Sequence, residues 1–186
     1  MIIQEMTSDD CRAMLARTGV ARLACACNHQ PYIVPIHVML DGDFLYAYST
    51  LGQKIDWMRQ NPLVCVEIDE FIAHARWASV VVVGRYEELP PAPGYEGSRQ
   101  IAERLFAPHP AWWEPASVRF AGGQLRSPIV FRIQIGSMTG RRASPDPARP
   151  MTGHGERLKP EQSRITALLR RVAGTHRRWP LTGTAD

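Results

Sequence analysis

Nothing in this 186-residue chain approaches the roughly 20 consecutive apolar residues of a membrane-spanning helix. The opening MIIQEMTSDD has neither the basic segment nor the apolar core of a secretory signal. The chain is therefore expected to be soluble and cytoplasmic. Cysteine is scarce: Cys11, Cys25, Cys27 and Cys65 form no CxxC pair and no zinc-site spacing, and they read as buried reduced thiols. Cys25 and Cys27, two apart, would share one face of a strand. The phosphate fingerprints GxxxxGK and GxGxxG are missing as well, which removes a Walker loop and a Rossmann-type dinucleotide turn. With 45% hydrophobic and 22% charged residues, the chain is neither disordered throughout nor a coiled coil nor collagen-like.

The basic balance is confined to one end. Residues 1–140 carry 12 Lys and Arg against 14 Asp and Glu, whereas residues 141–186 carry 10 against 4. A nucleic-acid-binding core would place its cations on the folded face that meets phosphate, so such a role is unlooked-for in the slightly acidic core. For the basic tail, with Arg170, Arg171, Arg177 and Arg178, nucleic acid or acidic lipid competes with a plain solvated helix face.

Short β-branched and aromatic runs dominate the rest of the core: 20–27, 32–40, 44–48, 63–69, 77–89 and 128–135. Asn28-His29-Gln30 and Asp41-Gly42-Asp43 separate the first three, predicting a meander. A helix is expected after Thr7-Ser8-Asp9-Asp10, capped by Ser8 and closed at Gly19. Two more are expected over 52–60, stopped by Asn61-Pro62, and over 97–106. The expected fold is mainly β, a six-stranded split barrel with short flanking helices and a C-terminal amphipathic helix, since closure removes exposed edges. Residues 1–142 form the domain and 143–160 a Pro-rich linker. Residues 161–186 form a basic helical tail, in which Ile165, Leu168, Leu169 and Val172 make an apolar stripe.

Candidate chemistry concentrates in YAYSTLGQKIDWMRQNP, residues 46–62. Thr50 and Gln53 have capping-box spacing, so the segment reads either as a well-made helix start or as an anion site. In the second reading Ser49, Thr50, Lys54 and the first helical amides converge on a mononucleotide phosphate. In PYIVPIHV, Pro35 forces an edge or a bulge and is expected to free backbone groups of Val34 and Ile36 for a planar ring. A plain edge strand is the competing reading. Val80–Val83 reads as a strand buried on both faces, Gly84 as a bend or bulge, and Trp77 and Ser79 as the possible ligand contacts there. His37, His29 and His74 read as surface or packed histidines, and Trp112-Trp113 as a packed loop or a cover over a ligand.

Taken in order, GVARLACACNHQPYIVPIHV, DGDFLYAYSTLGQKIDWMRQNPLVCVEIDE, WASVVVVGRYEEL and SPIVFRIQIGSMTGR resemble the pyridoxamine 5′-phosphate oxidase-like FMN-binding split barrels, in particular the nitroimidazole-resistance-related branch. The resemblance covers roughly residues 5–142. It implies a homodimer with two FMN sites at the interface, the phosphate held at Ser49, Thr50 and Lys54. The ring would lie along Val34, Pro35 and Ile36, Trp77 and Ser79 would approach the cofactor, and Arg22 would stand near the phosphate. Tyr48 departs from the histidine frequent in that branch, which separates this chain from functions that need the histidine. The implied activity is flavin-mediated reduction of a small organic acceptor, with no metal and no assigned catalytic acid or base. Deazaflavin or haem in the same fold, with His37 a candidate haem ligand, and a non-catalytic flavin-binding regulator are the alternatives.

Overall fold

Two tight turns and one broken strand lay out the first half of the fold in the computed structural model, which describes residues 1–108 and 128–148. After β1 (Ile2–Glu5) and α1 (Ser8–Arg17), β2 (Val20–Cys27) pairs antiparallel with β3 (Gln30–His37). Their loop is the two residues Asn28 and His29, both at positive φ, the conformation of a type I′ hairpin turn. Next, β4 (Met39–Asp41) pairs with β5 (Phe44–Ser49) across Gly42-Asp43, where Gly42 takes φ +55°. Then come α2 (Gln53–Gln60), β6 (Leu63–Ala73), β7 (Arg76–Glu88), α3 (Glu96–Phe106) and β8 (Ile129–Ser144).

The strand order is β3-β2-β6-β7-β8-β5-β4, with β1 paired to β8. β3 and β4 thus end the path, yet only Val38 separates them in the chain, and β3 lies against β5. The sheet therefore closes on itself as a barrel, and the fold is mainly β with minor helices, as expected. The expected strand over 32–40 is divided at Val38, whose N–H donates to the Gly19 carbonyl at 2.9 Å. The meander expectation fails at that point: β5 leaves the first hairpin and pairs with β8 instead.

Inward-facing Leu23, Val66, Val80, Val82, Phe131 and Ile133 fill the interior. α1 contributes Cys11, Met14 and Leu15 to this core, and α2 contributes Ile55 and Met58. α3 packs elsewhere, burying Ala102 and Phe106 with Tyr46, Leu89 and Val130. Val80–Val83 is not buried on both faces: Val80 and Val82 are inside, whereas Val83 is 52% exposed. Antiparallel pairing on both sides leaves this strand one solvated face, unlike a parallel strand covered by helices.

Helix ends differ from expectation by a residue or two. Thr7 rather than Ser8 caps α1, its Oγ1 accepting from Asp10 N–H at 3.2 Å. α1 leaves through extended Thr18, not through a left-handed Gly19. Gly19 serves packing instead, since a Cβ there would meet His37 Nε2 at 2.5 Å. A β-bulge falls between Val83 and Gly84, with Gly136 the extra residue of β8. β8 runs to Ser144, into the expected linker, because it pairs with β7 and also with β1. The Trp112-Trp113 segment, the rest of the linker from residue 149 and the tail with its apolar stripe and arginines lie outside the described residues. No helix of the described residues is long and apolar enough to cross a membrane.

Candidate functional site

β5 delivers Leu45, Ala47 and Ser49 to the barrel interior by strict alternation, and the chain then breaks out of the sheet. Ser49 is 5% exposed, and its hydroxyl donates to the Thr50 carbonyl at 2.9 Å. Thr50 and Leu51 are exposed. α2 begins at Gly52, whose extended backbone makes no side-chain cap, so the capping box of Thr50 and Gln53 does not form. That box needs Thr50 at the cap position itself, and here the helix starts two residues later. The Gly52 carbonyl accepts from Ile55 N–H at 2.9 Å and Asp56 N–H at 3.1 Å. The N–H groups of Gln53 and Lys54 are left without a side-chain acceptor at the positive end of the helix. A Cβ placed on Gly52 meets nothing within 4 Å, so the approach to these amides is open.

Lys54 is half-buried on the same turn and makes no hydrogen bond or ion pair among the described residues. Burial pushes its ammonium below the usual lysine range, partly opposed by the charge of the Cys25 thiol, itself pushed up by burial. The one first-turn acid, Asp56, faces Arg59 at 3.9 Å. A half-buried cation beside two open helical amides and a buried hydroxyl, with no carboxylate to neutralise it, is an arrangement that suits an anion.

β3 borders this corner. Tyr32 is the cross-strand partner of Cys25, and its ring meets that of Trp57 in α2 edge-on at 5.6 Å. Val34 and Ile36 follow Tyr32 on the inward face, about 7 Å and about 13 Å along the strand. β3 is an edge strand, one of the two arrangements that Pro35 allows. The direction of its free backbone groups corrects the sequence reading. Val38 N–H bonds to Gly19, so residues of the same parity, Val34 and Ile36, direct their backbone groups to β2. The open edge instead presents Ile33, Pro35 and His37, which matches the missing N–H of Pro31 and Pro35.

The remaining nominated residues stand on the outer face of the sheet. Arg22 is Pro35's cross-strand partner, and its guanidinium is engaged by Asp69 and by Glu67 at 3.2 Å. Ser79 faces Asp69 on β6 and Arg141 on β8, and Trp77 lies farther along β7 beside Ala143. The nine nominated residues thus divide into Val34, Ser49, Thr50 and Lys54 towards one corner, Ile36 farther along β3 on the same inward face, and Arg22, Pro35, Trp77 and Ser79 on the outer surface. Tyr48 points outward beneath α3, with the Phe106 ring at 4.9 Å, and His37 meets Phe106 at 5.6 Å. Burial raises the Tyr48 phenol above its ordinary range. Cys25 and Trp57 border the corner without having been nominated. Their alternation and helical spacing marked them as buried, but only the contact of α2 with β2 puts them beside Lys54.

The family model for pyridoxamine 5′-phosphate oxidase matches residues 7–142. An uncharacterized protein of Rhizobium meliloti (strain 1021) is 42% identical over 146 residues, covering 77% of this chain and 97% of the relative. A crystal structure of a FAD-binding protein from Mesorhizobium loti is similar at 39% identity and TM-score 0.66, over 78% of this chain and 99% of that one. A structure from Bacteroides thetaiotaomicron, provisionally described as a 5-nitroimidazole antibiotic resistance protein, shares the fold at 16% identity and TM-score 0.53, over 76% and 89% of the two chains.

Proposed function

This chain belongs to the pyridoxamine 5′-phosphate oxidase family, and from that premise we propose that it is an FMN-dependent oxidoreductase reducing a small organic acceptor in the cytoplasm. The observation that carries the proposal is the uncompensated Lys54 cation at the uncapped start of α2. Lys54, the first-turn amides, Ser49 and Thr50 would hold the flavin phosphate by charge-assisted bonds. The isoalloxazine would lie along the open edge of β3, where the Ile33 N–H and the Ile33 and Pro35 carbonyls face outward. Bound there, the flavin supplies hydride or electron transfer, and the protein contributes position and environment. No acid or base is assigned, because the chemistry resides in the cofactor.

The outer sheet face supports a homodimer. Ile33, Ala24, Cys65 and Val83 form one row across β3, β2, β6 and β7, with Ile33 61% and Val83 52% exposed. A second copy seated on this row would cover apolar surface and bring Arg22, Pro35, Trp77 and Ser79 into the interface. A second cofactor reading is FAD, favoured by the description of the Mesorhizobium loti relative as FAD-binding. It shares the ring and the first phosphate and would use the same corner.

The test is the absorption spectrum of the purified protein and the mass of its extracted ligand. A yellow protein releasing FMN supports the proposal, and FAD in its place supports the second reading. Deazaflavin or haem would assign the fold's other cofactors. Colourless protein that takes up no added flavin overturns both flavin readings. A screen with nicotinamide donors then separates an oxidoreductase from a flavin-binding regulator, and removal of residues 150–186, which spares β8, tests whether the basic tail binds nucleic acid.

A further inference from the structure

A concave site lies beside α1, lined by none of the residues of the Lys54 corner. It is a pocket of about 460 Å³ enclosed by α1, the far end of the β6–β7 hairpin and the end of β8. Its size falls within the range of small-molecule sites. Its apolar lining includes Met6, Ile72, Trp77 and three alanines, Ala13, Ala78 and Ala143, which leave space that larger side chains would fill. Among the described residues, the charged groups facing it are Asp10, Arg17, Glu70, Arg76 and Arg142.

Those charges do not balance. Arg17 donates from Nε and Nη2 to the two Glu70 oxygens, each at 2.8 Å. Arg142 Nη2 reaches Asp10 Oδ2 at 2.6 Å. Each carboxylate is thereby committed to one arginine, and both are held below their ordinary range by that partner. Arg76 has no hydrogen bond or ion pair among the described residues, so the pocket retains one uncompensated positive charge. A guanidinium accepts a carboxylate with two parallel bonds, and both guanidinium and indole faces favour flat ring partners.

We propose that this pocket binds a small planar aromatic monoanion, its carboxylate on Arg76 and its ring against the lining beside Trp77. Ligand and site are matched in charge, one negative group to one unpaired cation, and in character, a ring to an apolar lining. The site shares no residue with the corner formed by Ser49, Thr50 and Lys54; Trp77, nominated for the cofactor, is common to both readings, so the test turns on Arg76 and Ala13.

Benzoate is the probe, titrated into the full-length protein by calorimetry and ligand-detected NMR. Saturable binding at about millimolar strength or better is expected, with neutral benzamide and non-planar cyclohexanecarboxylate clearly weaker. Arg76→Gln is expected to weaken benzoate by about tenfold or more, the loss of a charge-assisted bidentate contact. Ala13→Phe, at an exposed position of α1, is expected to block the pocket, while Lys54→Ala leaves benzoate affinity unchanged. Thermal melting checks that the two pocket variants remain folded. No benzoate binding, equal affinity for benzamide, insensitivity to both pocket variants, or loss on Lys54→Ala would each overturn the assignment. Flavin content is read separately on the same samples, so failure of either site is distinguishable from failure of the other.

Discussion

Lys54, on the first turn of α2, stands by Cys25 of β2 with no carboxylate among the described residues to receive its charge. Most half-buried lysines find an acidic partner, and the acid on this turn, Asp56, is turned to Arg59. The helix start and the cation are therefore available to the same ligand group. Lys54→Ala is expected to weaken flavin binding about tenfold to a hundredfold, one charge-assisted contact with phosphate, as measured by flavin fluorescence titration.

The same lysine fixes a pH dependence. Burial puts its folded pKa below 10.5. Between the folded value and 10.5 the unfolded chain keeps the proton that the folded chain has released, so the site's contribution to apoprotein stability rises with pH in that window. Flavin binding has the opposite sign, since it needs the ammonium and declines as pH rises through the folded value. Lys54→Met is expected to flatten both trends, read as melting temperature and flavin affinity from about pH 8 to about 10.5.

Glu88 ties α2 to β7. Its carboxylate accepts from Arg59 Nε and Nη2, each at 2.8 Å, and from the Tyr86 hydroxyl at 2.9 Å. These bonds, Arg59's foremost, hold it below 4.5. The stabilisation is present above the unfolded pKa and is lost as pH falls through the depressed folded value. Glu88→Gln is expected to cost roughly 1 kcal/mol near neutrality, moderated by the exposure of Arg59. The gap to wild type should close in acid, as measured by urea denaturation at both pH values.

Val83 tests the dimer. Val83→Glu places a charge at the β7 end of the row formed with Cys65, Ala24 and Ile33, without touching the core beneath. A monomer by light scattering, with reduced flavin retention, is the expected result. An unchanged dimer would move the interface elsewhere.

Gly84 tests the bulge. A Cβ there would sit 2.5 Å from the Gln134 carbonyl and 2.6 Å from Ile133 Cγ2, and backbone cannot yield as a side-chain tip can. Gly84→Ala is expected to destabilise by about 1–3 kcal/mol, read as a lower urea midpoint.

Sequence alone determined the mainly β class, six of the strand segments, the restriction of Pro35 to an edge or a bulge and the turn with Lys54 after the strand ending at Ser49. Each of these is written in local chemistry, in alternation, in a missing N–H or in turn residues, and needs no knowledge of distant partners. It also read Gly84 correctly as a place where the ladder is irregular. Tertiary structure decided what depends on register and pairing. β5 turns to β8 because Val38 breaks the strand before it, and Val83 is half exposed because β7 is paired on both edges but covered on one face only. The cap two residues past Thr50 leaves the first amides of α2 open, and β3 parity directs Ile33 and Pro35, not Val34 and Ile36, to the free edge. Likewise, no spacing could show that Cys25 lies by Lys54, or that among the described residues Arg76 has no ion-pair partner while Arg17 and Arg142 do. Such facts are set by which strands and helices meet, and residues far apart in the chain acquire a charge balance only once the barrel has closed.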